Sequence, residues 1–277
     1  MSSYPLSLPA SKPLLTVTNP KPDLWILELH NGDDSRLTDT LINGAFRPAL
    51  DFVEEHWAKN WHNARQTKDK AGCRGALIIV GNRGQNKFFS NGFDWESIKG
   101  DRDFFSNTAN PLLARLLTFP IPVIAAVNGH AFAAGMILAL ACDYRVMTDG
   151  SARRAWMCMN EVNFGAPWPL SFTALLEAKV SSPTLRRRIA LEGYRMTATE
   201  ALDAEIIDRL APGVDGTKGV LEVAEKLAEE VAGLPKEGVC GSIKTYLYRD
   251  CLDKVGLDAR KNSLPLPPAG IGAKSKL

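Results

Sequence analysis

Two stretches of this chain, Gly75-Ala-Leu-Ile-Ile-Val-Gly81 and Pro120-Ile-Pro-Val-Ile-Ala-Ala-Val127, are apolar from end to end. A strand with one wet face alternates apolar and polar side chains. A strand without alternation is covered on both faces, and such strands belong to parallel sheets clothed in helices. The second stretch passes through Asn128-Gly-His-Ala131 into Ala133 to Ala141, a predicted helix of small and aliphatic residues. Leu24 to Leu29, Asp143 to Met147 and Ala155 to Met159 predict further strands. Thr38 or Asp39 can cap a helix in which Leu41, Ile42, Phe46, Leu50 and Phe52 recur at helical spacing.

From about Pro169 the pattern turns helical. Pro183 to Leu191 and Ala198 to Ala204 are two segments, Val220 to Ala232 is amphipathic, and Gly241 to Val255 is weaker. Strands alternating with helices and then helices alone predict an α/β core over 14–210. A helical region over 211–261 and a Pro- and Gly-rich tail over 262–277 complete the expected organisation. Lys59 to Cys73 reads as a polar, basic insertion.

Composition narrows the function. Hydrophobic residues are 45% and charged residues 23% of the 277, an ordinary globular balance. Thirty-three Lys and Arg against 31 Asp and Glu leave +2, which gives no footprint for nucleic acid or an anionic membrane surface. The longest apolar run, Ala131 to Cys142, falls short of the ~20 residues needed to span a bilayer. Cys73, Cys142, Cys158, Cys240 and Cys251 are scattered and the four histidines show no HExxH spacing, so neither a disulfide framework nor a metal site is expected. The N-terminus has no secretory or mitochondrial leader pattern. The last residues, Ser275-Lys276-Leu277, spell the peroxisomal import tripeptide, and an extended tail would present them to the import receptor.

No phosphate-cradling loop and no GxSxG elbow occurs. What remains is a pair of small-residue turns, Lys87-Phe-Phe-Ser-Asn-Gly-Phe-Asp94 and Val127-Asn-Gly-His-Ala-Phe-Ala-Ala-Gly135. Backbone N–H groups at such turns have no intrahelical partner, and two of them converging would form a donor pair for a developing oxyanion. Each turn alone is as readily a tight turn and nothing more.

These turns, together with Met159-Asn-Glu-Val-Asn-Phe-Gly165 and Ala198-Thr-Glu-Ala-Leu-Asp-Ala-Glu-Ile-Ile-Asp208 in that order, resemble the crotonase (enoyl-CoA hydratase/isomerase) family. The resemblance implies a spiral of ββα units, a helical C-terminal trimerisation region, a homotrimer or dimer of trimers, and an acyl-CoA thioester substrate. It puts the oxyanion hole on the backbone N–H groups of Phe93 and Ala134, with Ser90, Asn91, Gly92, Gly135, Ile137 and Phe164 against the substrate. Hydratases of the family use two glutamates. The first position is held here by Ile137, which cannot activate water, and the second by Glu161.

One base facing an oxyanion hole implies a Δ3,Δ2-enoyl-CoA isomerase, most similar to peroxisomal ones. Glu161 would take a proton from C2 of a cis- or trans-3-enoyl-CoA and return it at C4, with no metal or redox cofactor. Phe132, Met136, Trp156 and Trp168 are expected to line the acyl path with Ile137 and Phe164. The alternatives are a hydratase or other crotonase-family enzyme, and a non-catalytic CoA-binding member. Asp94 is expected to cap the helix from Trp95, Asp143 to tie down a turn, and His130 to bond backbone. Arg186-Arg-Arg188 reads as a solvated basic face, with contact to the CoA phosphates of its own or a neighbouring subunit as the alternative.

Overall fold

The computed structural model describes residues 4–69 and 71–258. Its strands are β1 (Leu6–Leu8), β2 (Leu15–Lys21), β3 (Leu24–Leu29), β4 (Ala76–Val80), β5 (Phe88–Ser90), β6 (Val123–Val127), β7 (His130–Phe132), β8 (Tyr144–Thr148), β9 (Trp156–Cys158), β10 (Met196–Thr197) and β11 (Arg209–Ala211). The α-helices are α1 (Asp39–Leu41), α2 (Arg47–Thr67), α3 (Trp95–Ile98), α4 (Asn110–Leu117), α5 (Ala134–Ala141), α6 (Leu170–Lys179), α7 (Pro183–Glu192), α8 (Ala198–Asp203), α9 (Thr217–Val231), α10 (Cys240–Leu247) and α11 (Arg249–Asp258).

Two sheets share these strands. The larger runs β1-β2-β3-β4-β6-β8-β11 and the smaller β10-β9-β7-β5. From β3 to β11 every neighbour in the large sheet is parallel, which is what the uninterrupted apolar runs required. The chain winds as a spiral. β4, β6 and β8 each place one strand in the large sheet, β5, β7 and β9 each follow in the small sheet, and a helix or helical turn comes next. The α/β architecture, its ββα repeat and the helical last third are as expected.

Both faces of the large sheet are dry. On one, α9 lays Val220, Leu221, Ala224, Leu227, Ala228 and Val231 over Ile78, Val80, Ile124 and Val146. Full burial of each Leu or Val side chain contributes roughly 1.5–3 kcal/mol. The other face and the small sheet enclose the main core with α2, α4, α5 and α6. Asn128 fastens the junction: it accepts from Gly81 N at 3.1 Å and donates to the Thr217 hydroxyl at 3.0 Å. One side chain thus joins the ends of β4 and β6 to the start of α9.

Four expectations change here. β1 pairs with β2 at the sheet edge, so the sheet begins inside the stretch that carried no strand signal. The region Lys59 to Cys73 is no insertion. α2 runs through it to Thr67, and Trp61 donates its indole N–H to Lys236 O at 2.9 Å. Asp94 stands at the N-cap of α3 without a side-chain capping bond. Gly241 to Val255 forms two helices, α10 and α11, broken at Tyr248. The targeting tripeptide Ser275-Lys276-Leu277 and the tail over 262–277 lie outside the described residues.

α10 is pinned to the core. The buried Lys244 ammonium donates to Phe119 O at 2.9 Å and Ile121 O at 3.0 Å, and pairs with Asp143. Asp143 also accepts from Val123 N at 2.8 Å, so the expected turn-tying aspartate holds the entry to β6 and the last helices at once.

Candidate active site

β5, β7 and β9 are parallel neighbours in the small sheet, so their C-terminal ends open on one edge. Three turns leave that edge: Asn91-Gly92-Phe93, Ala133-Ala134 and Met159-Asn160-Glu161. The topology alone brings both expected backbone donors and the expected carboxylate to one side of the molecule.

The first turn depends on Gly92. Its φ is +77°, and a Cβ there would stand 2.9 Å from Ala134 N, Ala133 Cβ and Phe132 O. The turns of Phe93 and Ala134 are therefore in direct contact. Leu37 donates its N–H to Gly92 O at 2.8 Å and forms an isolated parallel bridge with Phe93. In a parallel bridge the two bonds go to the residues flanking the bridged one, so the N–H of Phe93 points off the opposite side. Ser90 is fully buried; its hydroxyl donates to Ser35 O at 2.8 Å and accepts from Gly92 N at 3.2 Å. Asn91 donates to an Asp34 carboxylate oxygen at 2.9 Å. Both side chains, read as substrate contacts from sequence, are committed to holding this turn.

The second turn carries strain. Ala133 has φ +51° and ψ −128°, a conformation that costs a residue with a Cβ about 1–3 kcal/mol. It persists because both of its backbone groups are bonded. Its N–H donates to Cys158 O at 2.8 Å, and its carbonyl accepts from Met136 N at 2.9 Å and Ile137 N at 3.2 Å. The helix α5 starts there, with the N–H groups of Ala134 and Gly135 ahead of any intrahelical acceptor. Gly135 is required by proximity: a Cβ would lie 2.2 Å from Ser90 O. Ile137 is 1% exposed and packed in the core of the first helical turn.

The third turn places Glu161 at the start of a single 3₁₀ turn, Glu161–Asn163, whose backbone is closed by Phe164 N and Ala166 N donating to Glu161 O. Glu161 is 6% exposed. Desolvation pushes its carboxyl up to about 7, opposed by its own backbone N–H and by a hydrogen bond from the Trp168 side chain. Its Oε2 is buried without a hydrogen-bond partner. An orphan acceptor of this kind costs stability and suits a group kept for chemistry.

The aromatic surroundings differ from expectation. Phe132 and Trp156 pack about His130 on the partly exposed face of β7, with Trp156 stacked on the imidazole at 4.9 Å. His130 accepts from Trp156 N at 3.1 Å, as its structural reading required. Burial, then the positive charges of Arg153, Lys87 and Arg195, push it down to about 4. Phe164 is 49% exposed, beyond the 3₁₀ turn. The rings beside the site are instead Phe93, Phe104, Phe105, Phe172 and Trp168. Sequence reading missed the first four of these as a group, because they come from three separate segments and no spacing connects them.

A cavity of about 580 Å³ opens between the 3₁₀ turn, α6 and α7, lined by Val162, Ala166, Trp168, Leu176, Arg186 and Leu191 among others. Glu161 is not among its lining residues, although the adjacent Val162 is. Arg187 pairs with Glu192, consistent with a solvated face. Among the described residues no group of three or more His, Cys, Asp or Glu side chains is placed to hold a metal, and no helix is long and apolar enough to cross a membrane.

Residues 62–234, which contain all three turns, match the enoyl-CoA hydratase/isomerase family. Enoyl-CoA delta isomerase 3 of Arabidopsis thaliana is 37% identical over 246 residues, covering 86% of this chain and 93% of the relative. The peroxisomal enoyl-CoA delta isomerase 2 of the same plant is 37% identical over 202 residues, 69% of this chain and 81% of the relative. Carnitinyl-CoA dehydratase of Shigella flexneri is 34% identical over 155 residues, 54% of this chain and 57% of that protein. Among solved structures, an enoyl-CoA hydratase of Mycobacterium marinum superposes with a TM-score of 0.68 at 25% identity, covering 89% of this chain and 96% of the other.

Proposed function

This chain belongs to the enoyl-CoA hydratase/isomerase family, and on that premise we propose that it is a Δ3,Δ2-enoyl-CoA isomerase, which shifts the double bond of a 3-enoyl-CoA to give trans-2-enoyl-CoA. The observation that carries the reading is Glu161: a buried carboxylate with one free oxygen, held near neutrality, on the same sheet edge as two backbone donors.

The C2 proton of the substrate is acidified by the thioester carbonyl on one side and the vinyl group on the other. Glu161, ionised, removes it, and the electron pair spreads over C2, C4 and the thioester oxygen as a dienolate. The N–H groups of Phe93 and Ala134 receive the negative oxygen, and each preorganised donor of this kind lowers a barrier by ~3–4 kcal/mol. The protonated carboxyl then gives its proton to C4. The proton removed is the proton returned and no electron leaves the substrate, so no metal or redox cofactor is called for. Ile137 supports isomerisation over hydration, because a buried aliphatic side chain there leaves nothing to orient water.

Purified protein supplied separately with 3-hexenoyl-CoA and crotonyl-CoA tests the reading. Conversion of the first without hydration of the second is the expected result. Rapid hydration of crotonyl-CoA overturns it.

Residence in the peroxisomal matrix is part of the proposal, supported by the Ser275-Lys276-Leu277 ending and by two plant relatives whose names include peroxisomal. A fluorescent protein fused ahead of the chain should enter peroxisomes, and deletion of the three residues should leave it outside. Assembly as a homotrimer or dimer of trimers is supported by the exposed apolar side chains of Leu234, Val239, Ile243, Tyr246 and Leu247 around α10. Sedimentation equilibrium at the mass of a single chain would remove that part.

A further inference from the structure

Three consecutive residues of the first donor turn are tied to one short loop between β3 and α1. Asn91 donates its N–H to Asp34 O and its side-chain amide to Asp34 Oδ2, both at 2.9 Å. Gly92 O accepts from Leu37 N at 2.8 Å. Phe93 O accepts from Nη1 of Arg36 at 3.0 Å, while Nε of the same guanidinium donates to Asp34 Oδ2 at 2.8 Å. Asp34 Oδ2 therefore joins Arg36 to Asn91. The loop is braced in turn by Asn31, whose side-chain amide donates to Arg36 O at 2.6 Å.

The direction of the Phe93 N–H is the direction of the Gly92–Phe93 peptide plane, which turns on ψ of Gly92 and φ of Phe93. Gly92, at φ +77°, is the residue type with the most freedom to let that plane rock. Leu37 holds the carbonyl end of the plane. Arg36 holds the carbonyl of the next one, so the Phe93 α-carbon sits between two anchored peptides. A guanidinium suits the task because its planar fork sends one N–H to a carboxylate and another to a carbonyl in fixed relation, which a single ammonium does not reproduce. The second donor has its anchorage in main chain, through the bonds of Ala133 to Cys158 O and from Met136 N.

We infer that Arg36 is a positioning residue for the first oxyanion donor: its guanidinium, aimed by Asp34, anchors Phe93 O and so holds the Phe93 N–H on the thioester oxygen. This inference rests on Phe93 and Ala134 forming the oxyanion hole of the proposed isomerase. The Arg36 and Asp34 side chains are 40% and 28% exposed, and an ion pair so open to water contributes little to stability. What the pair supplies is geometry at a donor where small misplacements are costly.

Arg36→Met keeps an aliphatic stem and deletes the fork. With 3-hexenoyl-CoA, kcat should fall roughly 5- to 50-fold and KM should stay within about twofold, because the donor matters most when charge develops on the oxygen. The melting temperature should fall by no more than about 4 °C. The readout that a merely structural role leaves in place is the carbonyl stretch of hexanoyl-CoA labelled with carbon-13 at C1, a thioester with no double bond to move. In difference infrared spectra this band should lie lower when bound to the parent than in free solution, because the two donors polarise the carbonyl. Bound to Arg36→Met it should return part of the way. A band lowered equally in both proteins overturns the inference.

Should Arg36→Met fail to fold, Asp34→Asn removes the charge that aims the fork. A smaller return of the band is then expected, and an unmoved band overturns the inference. The parent spectrum keeps the two readings apart. A parent band that binding leaves unmoved removes the oxyanion assignment and the role of Arg36 with it. A parent band that is lowered, beside a variant band lowered as much, removes the role of Arg36 alone.

Discussion

The N–H of Ala133 donates to the carbonyl of Cys158 at 2.8 Å, and this bond ties the strained turn before the second oxyanion donor to the strand that leads to Glu161. Donor and base are three residues or fewer from the two ends of that bond. Their relative position is fixed by backbone geometry, and side chains elsewhere can change without altering it.

Gly135→Ala tests how tightly the same turn is built. The added Cβ would sit 2.2 Å from Ser90 O, a main-chain atom that cannot swing aside, so β5 and α5 must separate. Overpacking of this kind costs about 1–3 kcal/mol of stability, read as a lower midpoint in urea. Because the separation moves both donors, kcat should fall by about 10²-fold or more, as when an oxyanion donor is removed.

Glu161→Gln should abolish most activity, at least ~10²-fold in kcat, the range of a positioned general base. It should also stabilise the fold in a pH-dependent way. Burial raises the Glu161 carboxyl from an ordinary 4.5 to about 7. Its contribution to stability is fully present below about 4.5 and is lost as the pH rises towards about 7, where the folded chain must give up a proton it holds more tightly than the unfolded chain. That loss amounts to about 3 kcal/mol above neutrality. Glu161→Gln should therefore melt higher than the parent at pH 8 and equal it at pH 4; equal melting at both would mean the carboxylate is solvated.

The same titration sets the pH dependence of the reaction. The base works as carboxylate, so kcat/KM should rise with pH through about 7 and level off above it. A rate that falls across this interval would point to an acid in place of a base.

Acid should weaken the fold through a different group. His130 is held neutral, pushed down from 6.5 to about 4 by burial and nearby positive charge. Its contribution is present above about 6.5 and is lost as the pH falls towards about 4, because the unfolded chain takes up the proton first. The buried Glu161 carboxyl acts in the opposite direction over this range, so the effect is read in Glu161→Gln, whose thermal midpoint should decline from pH 7 to pH 4.

Lys244→Met removes the cation that pairs with Asp143 and meets two main-chain carbonyls. Breaking a buried pair by deleting one partner costs about 3–5 kcal/mol, because the other charge stays buried. Removing both, in Lys244→Met with Asp143→Asn, should cost less than the single change.

Most of the fold was legible because burial writes itself into periodicity. β4 and β6 are apolar at every position, and α9 shows its apolar stripe plainly. Phe93, Ala134 and Glu161 were legible through family motifs, and the parallel strands explain why motifs so far apart in sequence end on one edge. What was not legible depends on contacts between distant residues. Ser90 looks like a turn serine open to substrate until Ser35 O is seen to accept its proton. Trp168 reads from sequence as an acyl-path residue, and the cavity it lines is closed by α6 and α7, which no local pattern brings next to it. β2 contains Asn19 and Pro20, and α4 opens with Asn-Pro, so their propensities hide elements that tertiary packing imposes.

The hold of Lys244 on Phe119 O, Ile121 O and Asp143 has a consequence for the order in which the enzyme is made. β6 leads directly to the turn and strand that precede the second donor, yet the lysine that settles its entry is synthesised more than a hundred residues later. Until that lysine has been added, the aspartate and the two carbonyls can be satisfied only by water. A chain cut short before α10 would lack the cation that this part of the sheet is built around, which makes the last helices part of the catalytic body and not an appendage to it.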